Sequence, residues 1–126
     1  MDLTEKDLRQ MYRWMVLGRL FEEKTFELLK LSKLVGFHHP NVGQEAVDVG
    51  ACYKLRRDDT IMPTHRGKLK YLMKGVEMKI MWAGMFGRGN GSGKGVGPAS
   101  HSGDNSIGLL AGTGVPTKGP TRKHSR

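Results

Sequence analysis

Cysteine, long apolar runs and, past residue 60, acidic side chains are what this chain has little of. Cys52 stands alone, which excludes an internal disulfide framework and a cysteine-based zinc site. Set within a helix, it reads as a small apolar filler and not as a reactive thiol. No stretch approaches the roughly 20 apolar residues of a membrane-spanning helix. The start, Met1-Asp2-Leu3-Thr4-Glu5, lacks the basic-then-apolar order of a signal peptide. The expectation is a soluble, cytoplasmic protein with no membrane partner. Residues 60–126 hold two Asp/Glu against eleven Lys/Arg, whereas residues 1–59 hold ten of each. The whole excess of +9 therefore lies in the second half. Such a bias points to an anionic partner: nucleic acid, a phosphorylated cofactor, an acidic protein face or a membrane surface.

The 126 residues allow at most one compact domain. Thr4-Glu5-Lys6-Asp7 has the form of a capping box, and the pattern predicts a long helix from there to about Leu31, free of Pro. Leu8, Met11, Met15, Leu17, Leu20, Phe21, Leu28 and Leu29 give it an apolar side wider than one stripe. Part of that side is expected to be a subunit contact. A second helix is predicted from Gly43 to about Arg56, with Asn41 as its cap and Ala46, Val47, Gly50, Ala51 and Leu55 facing inward. Residues 58–63 read as a turn followed by a short buried extended segment. Residues 66–74 and 76–87 read as two short helices divided at Gly75.

Twelve of the 18 glycines fall between Gly84 and Gly119, which predicts a loop there. Beyond Val115 the chain has no large apolar residue and four basic ones, as expected of a disordered tail. The domain reading is thus 1–115 plus a basic tail over 116–126.

The candidate chemistry lies in Gly36-Phe37-His38-His39-Pro40-Asn41-Val42-Gly43-Gln44-Glu45-Ala46 and in Thr64-His65-Arg66-Gly67. Arg66 carries a planar guanidinium able to hold a phosphate bidentately, and His65 adds a second donor at the start of a predicted helix. A histidine such as His39 suits charge stabilisation or proton transfer near neutral pH. The run Gly87–Gly97 is not a nucleotide loop. Walker spacing meets Arg88 where a glycine is required and Gly95 where Ser or Thr should follow Lys94, and G-x-G-x-x-G fails in every register. His38 and His39 with His65 or His101 make a poor metal set, because adjacent histidines seldom share one ion. Met73, Met78, Met81 and Met85 read as core packing, and Tyr12, Trp14 and Trp82 as packing or a subunit contact.

These segments occur in a particular order. Met11-Tyr12-Arg13, Arg19-Leu20-Phe21-Glu22-Glu23, Gly36-Phe37-His38-His39, Gly43-Gln44-Glu45-Ala46, Asp58-Asp59, Thr64-His65-Arg66-Gly67, Met85-Phe86-Gly87 and Gly93-Lys94-Gly95 leading to His101 follow one another at compatible spacing. In this the chain resembles the alpha subunit of thiamine diphosphate-dependent 2-oxo acid dehydrogenases of the pyruvate and acetoin types, over about residues 5–115. The resemblance implies an α/β class, the N-terminal part of a thiamine diphosphate-binding fold, mostly helical in the portion present. It implies decarboxylation of a pyruvate-like 2-oxo acid, or cleavage of acetoin, with acyl transfer to lipoyl. It also implies a beta subunit in an α2β2 assembly and a lipoyl acyltransferase component as partners. By the same carry-over His65 and Arg66 contact the cofactor diphosphate, His39 lines the approach to the thiazolium, and Gly114-Val115 meet the aminopyrimidine.

The chain departs from that pattern in three places. Lys68-Leu69-Lys70 stands where the family commonly has His-Gly-His, and Val96-Gly97-Pro98-Ala99 interrupts its Gly-Lys-Gly loop. After Val115 the chain turns basic, as an out-of-frame tail or a gene break would, and the Gly-Asp-Gly…Asn element that binds Mg2+ in the family does not occur. No metal ligand is assigned, and the isolated chain is expected to be inactive. The alternative is a noncatalytic truncated product whose basic tail binds nucleic acid or other anions nonspecifically.

Overall fold

A computed structural model describes residues 2–34, 36–95 and 102–111. Four α-helices follow one another: α1 (Glu5–Lys30), α2 (Glu45–Cys52), α3 (Lys68–Met73) and α4 (Met78–Met85), then a single 3-10 turn, Asn105–Ile107. Among the described residues the protein is mostly helical. Extended structure is confined there to isolated bridges, Ile61 with Leu109 in the parallel sense and Asp104 with Leu109 in the antiparallel sense.

α1 begins where its capping box predicts. The Asp7 amide donates to Thr4 Oγ1 at 3.2 Å, and the Thr4 amide donates back to Asp7 Oδ2 at 2.9 Å. Asp7 also accepts from Tyr53 Oη and Lys54 Nζ, which ties the first turn of α1 to the residues just after α2. The Lys54 ammonium, then the Thr4 donors and Tyr53, hold the Asp7 carboxyl well below its ordinary value of 3.8. A carboxyl so held contributes stability above about pH 4 and loses that contribution as the pH falls further. Asp7→Asn should therefore flatten the acid limb of the unfolding free energy below about pH 4 and leave its slope above pH 5 unchanged. Urea denaturation across that range reads the difference.

Gly18, Phe21, Glu22 and Thr25 form the buried stripe of α1 at i, i+3, i+4, i+7 spacing. Gly18 is where α3 comes closest, since a methyl there would lie 2.8 Å from Leu69 Cδ2. The wide apolar side shows as a second row, Leu8, Tyr12, Val16 and Leu20, which is exposed. The core gathers Phe21, Tyr71, Leu72, Met81, Met85, Ile107 and Leu109, with Trp14 and Trp82 against it. Phe21 and Trp82 rings meet at 4.5 Å. Met78, Met81, Met85 and both tryptophans thus pack as expected, whereas Tyr12 stays exposed. Cys52 is buried, and burial pushes its thiol pKa up, as suits an inert filler.

Three expectations need correction. α2 buries Glu45, Asp48, Val49 and Cys52, while Ala46, Val47, Gly50 and Ala51 face outward. The inversion follows from counter-charges on neighbouring elements: Arg19 Nε reaches Glu45 Oε1 at 2.7 Å and Lys70 Nζ reaches Asp48 Oδ1 at 2.7 Å. Arg19 draws the Glu45 carboxyl below its usual range. Asn41 does not cap α2 either. Its buried amide nitrogen donates to Asp48 Oδ2 at 2.7 Å, and Gln44 occupies the cap position without a side-chain bond. Lastly, the glycine-rich stretch is not wholly loop, since Ile107 and Leu109 enter the core. Two apolar residues suffice there because Ile61 pairs with that segment, its amide donating to Gly108 O at 2.8 Å and its carbonyl accepting from the Leu110 amide at 2.9 Å.

Candidate functional site

Two segments without regular structure bring the predicted residues together. The first, between α1 and α2, contains Gly36 at φ +83 and Gly43 at φ +89, so the chain turns sharply on either side of His38-His39-Pro40. The second is the turn Thr64–Gly67, closed by the Gly67 amide donating to Thr64 O at 2.8 Å. Their rings meet: His39 and His65 lie edge to face with centroids 4.2 Å apart, and Phe37 meets His39 edgewise at 4.7 Å. Both histidines are half-buried. Arg66, next in the turn, is exposed and takes part in none of the ion pairs among the described residues.

One expected source of anion affinity is already spent. The amides of Gly67 and Lys68 donate within the turn, to Thr64 O and Arg66 O, so the start of the short helix α3 offers little beyond the Arg66 and His65 side chains. Gly114, Val115 and His101 lie outside the described residues. Among the described residues no group of three or more His, Cys, Asp or Glu could hold a metal ion.

Beneath the histidines lies a feature that residue patterns did not reveal. Lys68 Nζ is buried, donating to Glu22 Oε1 at 2.8 Å and to the main-chain carbonyl of His39 at 2.6 Å. The lysine of α3 thus joins α1 to the histidine loop. Lys70 turns to Asp48, and Lys74 Nζ donates to the carbonyls of Arg56, Arg57 and Asp59 at 2.6–3.0 Å. Three cations of the basic second half are therefore consumed inside the protein, and composition overstated the charge it offers a partner.

The site is open on its outer side. The hollow of about 300 Å3 lined by Tyr12, Met15, Val16, Leu20 and the Arg19–Glu45 pair lies along α1, away from His39 and His65. The crevice nearer the histidines, between Glu22, Thr25, His38, His39 and Pro40, is too tight for a water molecule. The two imidazoles meet there, and the exposed Arg66 follows His65 in the turn.

Residues 12–115 match the model of the dehydrogenase E1 component. The chain belongs to the dehydrogenase E1 component family. Among its relatives is the alpha subunit of acetoin:2,6-dichlorophenolindophenol oxidoreductase of Bacillus subtilis (strain 168), 39% identical over 115 residues, 91% of this chain and 34% of that subunit. Subunit alpha-3 of the chloroplastic pyruvate dehydrogenase E1 component of Oryza sativa subsp. japonica is 34% identical over 110 residues, 87% of this chain and 26% of its own length. The pyruvate dehydrogenase E1 alpha subunit of Zymomonas mobilis subsp. mobilis (strain ATCC 31821 / ZM4 / CP4) is 32% identical over 111 residues, 87% of this chain and 31% of its own. This E1 component chain spans about a quarter to a third of the length of these curated relatives. Among the described residues no helix is long and apolar enough to cross a membrane.

Proposed function

We propose that the His39, His65 and Arg66 wall is the part of an E1 alpha subunit that receives the diphosphate of thiamine diphosphate. The observation that carries this reading is the edge-to-face contact of His39 with His65, which is followed directly in its turn by the exposed Arg66. A guanidinium matches two phosphate oxygens at once, and a ring N–H beside it adds a donor of different direction. The donor set therefore fits a diphosphate. It does not fit Mg2+, which takes oxygen ligands and not guanidinium or imidazole nitrogens.

In this reading Arg66 and His65 bind and orient the anionic end, and His39 holds a proton at its imidazole close to where charge develops. The cofactor, when bound, supplies an electron sink for a carbanion. The reaction class follows the relatives: decarboxylation of a pyruvate-like 2-oxo acid, or cleavage of acetoin, with transfer of the acyl group to lipoyl. The partners are then a beta subunit and a lipoyl acyltransferase component. The uncovered row Leu8, Tyr12, Val16 and Leu20 is an apolar surface suited to a subunit contact. The α/β class belongs to the same reading. The parallel bridge between Ile61 and Leu109 supports it, as the one place where the described chain runs two extended pieces side by side in the sense a parallel sheet needs. Gly114 and Val115 remain assigned to the aminopyrimidine, and residues 1–115 to one partial cofactor-binding domain.

Isothermal calorimetry with thiamine diphosphate and Mg2+ tests the binding claim. The intact chain should release heat, and Arg66→Ala should weaken binding by about 10–100-fold, the worth of a charge-assisted contact of about 1.5–3 kcal/mol. Heat unchanged in Arg66→Ala would assign the anion to another place. No heat from the unaltered chain would remove the reading.

A further inference from the structure

We infer that Lys68 is a positioning residue for His39, acting from beneath the site through the main chain. The inference deepens the diphosphate reading and rests on it for its functional meaning. Lys68 opens one of the three places at which this chain departs from the pattern of its other motifs, and it is almost fully buried, at 3% exposure. A cation that deep requires compensation, which it finds in Glu22 Oε1 and the His39 carbonyl.

The arrangement has a direction. Glu22 sits on the buried stripe of α1, and Lys68 opens α3, which packs on α1 at Gly18 and Leu69. Both ends of the ion pair are therefore set by helix packing. The His39 carbonyl belongs to a segment without regular structure, bounded by two glycines at positive φ. The rigid pair fixes the loop, and not the reverse. The His39 ring follows its backbone, and that ring sets the 4.2 Å contact with His65, two residues ahead of Gly67 and three ahead of Lys68 itself. One lysine thus reaches the first histidine by hydrogen bond and the second through the turn that leads into its own helix.

Glu22 adds a second sign that the pair is not arranged for stability alone. Its Oε2 is buried and meets no hydrogen-bond donor among the described residues. A pair optimised for its own energy would satisfy both oxygens. Here the ammonium directs one of its three donors at Glu22 Oε1 and another at the loop carbonyl, and the second carboxylate oxygen is unmatched.

The test uses the full chain and reads the ring C–H resonances of His39 and His65 by NMR. Rings this close shift one another, so His65→Ala in the otherwise unaltered chain should displace the His39 ring signals. In Lys68→Met that displacement should be lost. Because Lys68→Met leaves Glu22 buried without a partner, the double variant Glu22→Leu/Lys68→Met is made in parallel. It replaces the pair by apolar side chains of similar size, a change that buried ion pairs commonly tolerate. A folded double variant in which His65→Ala no longer moves His39 supports the proposal. One in which the dependence persists shows a merely structural lysine and overturns it. Calorimetry with thiamine diphosphate and Mg2+ on the same proteins separates the two claims: silence in the unaltered chain removes the diphosphate reading, while the ring signals still decide whether Lys68 positions His39.

Discussion

Glu22→Ala is expected to lower the unfolding free energy by about 3–5 kcal/mol, the cost of leaving one member of a buried ion pair without its partner. Among the described residues the Lys68 ammonium would keep the His39 carbonyl alone, at a position 3% exposed. Single domains are stable by about 5–15 kcal/mol in total, so this one change removes a large part of what holds the chain folded. The effect should appear as a fall in the urea midpoint with little change in slope. Glu22→Leu/Lys68→Met should recover most of the loss, because both desolvated charges are gone. Glu5→Ala, which breaks the exposed pair with Arg9, should move the midpoint little, since each side chain there is 77% exposed. If Glu22→Ala behaved like Glu5→Ala, the buried pair would not be the link between α1 and α3 described above.

Gly108→Ala is the second large effect, at about 2–5 kcal/mol. Gly108 lies at φ +67, where an L side chain costs about 1–2 kcal/mol. A methyl there would also come within 2.3 Å of the Asp59 carbonyl oxygen, an overpacking that adds about 1–3 kcal/mol. That carbonyl cannot simply move aside, because it accepts from the buried Lys74 Nζ at 2.6 Å. Gly43→Ala is the control. It has the same backbone sign, φ +89, but open space around it, so only the conformational cost of about 1–2 kcal/mol should appear. Thermal or urea unfolding of the two variants side by side gives the difference, which is the worth of the close approach between the 102–111 segment and the residues after α2.

Both effects were beyond the reach of pattern reading, for a common reason. A Glu in Arg19-Leu20-Phe21-Glu22-Glu23 and a Lys in Lys68-Leu69-Lys70 look like solvated charges, and 46 positions separate them. Only the packing of α1 on α3 makes them neighbours. The same holds for α2, whose apolar residues were read as its inner side. Periodicity marks which residues share a face, but the choice of which face turns inward belongs to what lies opposite, and here that is Arg19 and Lys70.

Local signals were legible where the physics is local. The capping box at Thr4, the extent of α1, and the break between α3 and α4 at Gly75, which sits at φ +99, depend on residues within a turn of one another. The ordered motifs that mark the dehydrogenase E1 component family are likewise a property of the chain read in line. They were enough to single out His39, His65 and Arg66 before any of their positions were known. Sequence alone therefore carries the family. Tertiary structure decided that the two imidazoles meet at 4.2 Å, and that Lys68 is spent inside the protein against Glu22 and the His39 carbonyl. The reason is that charge burial and ring contact are set by distances between residues far apart in the chain, and no spacing along the sequence carries those distances.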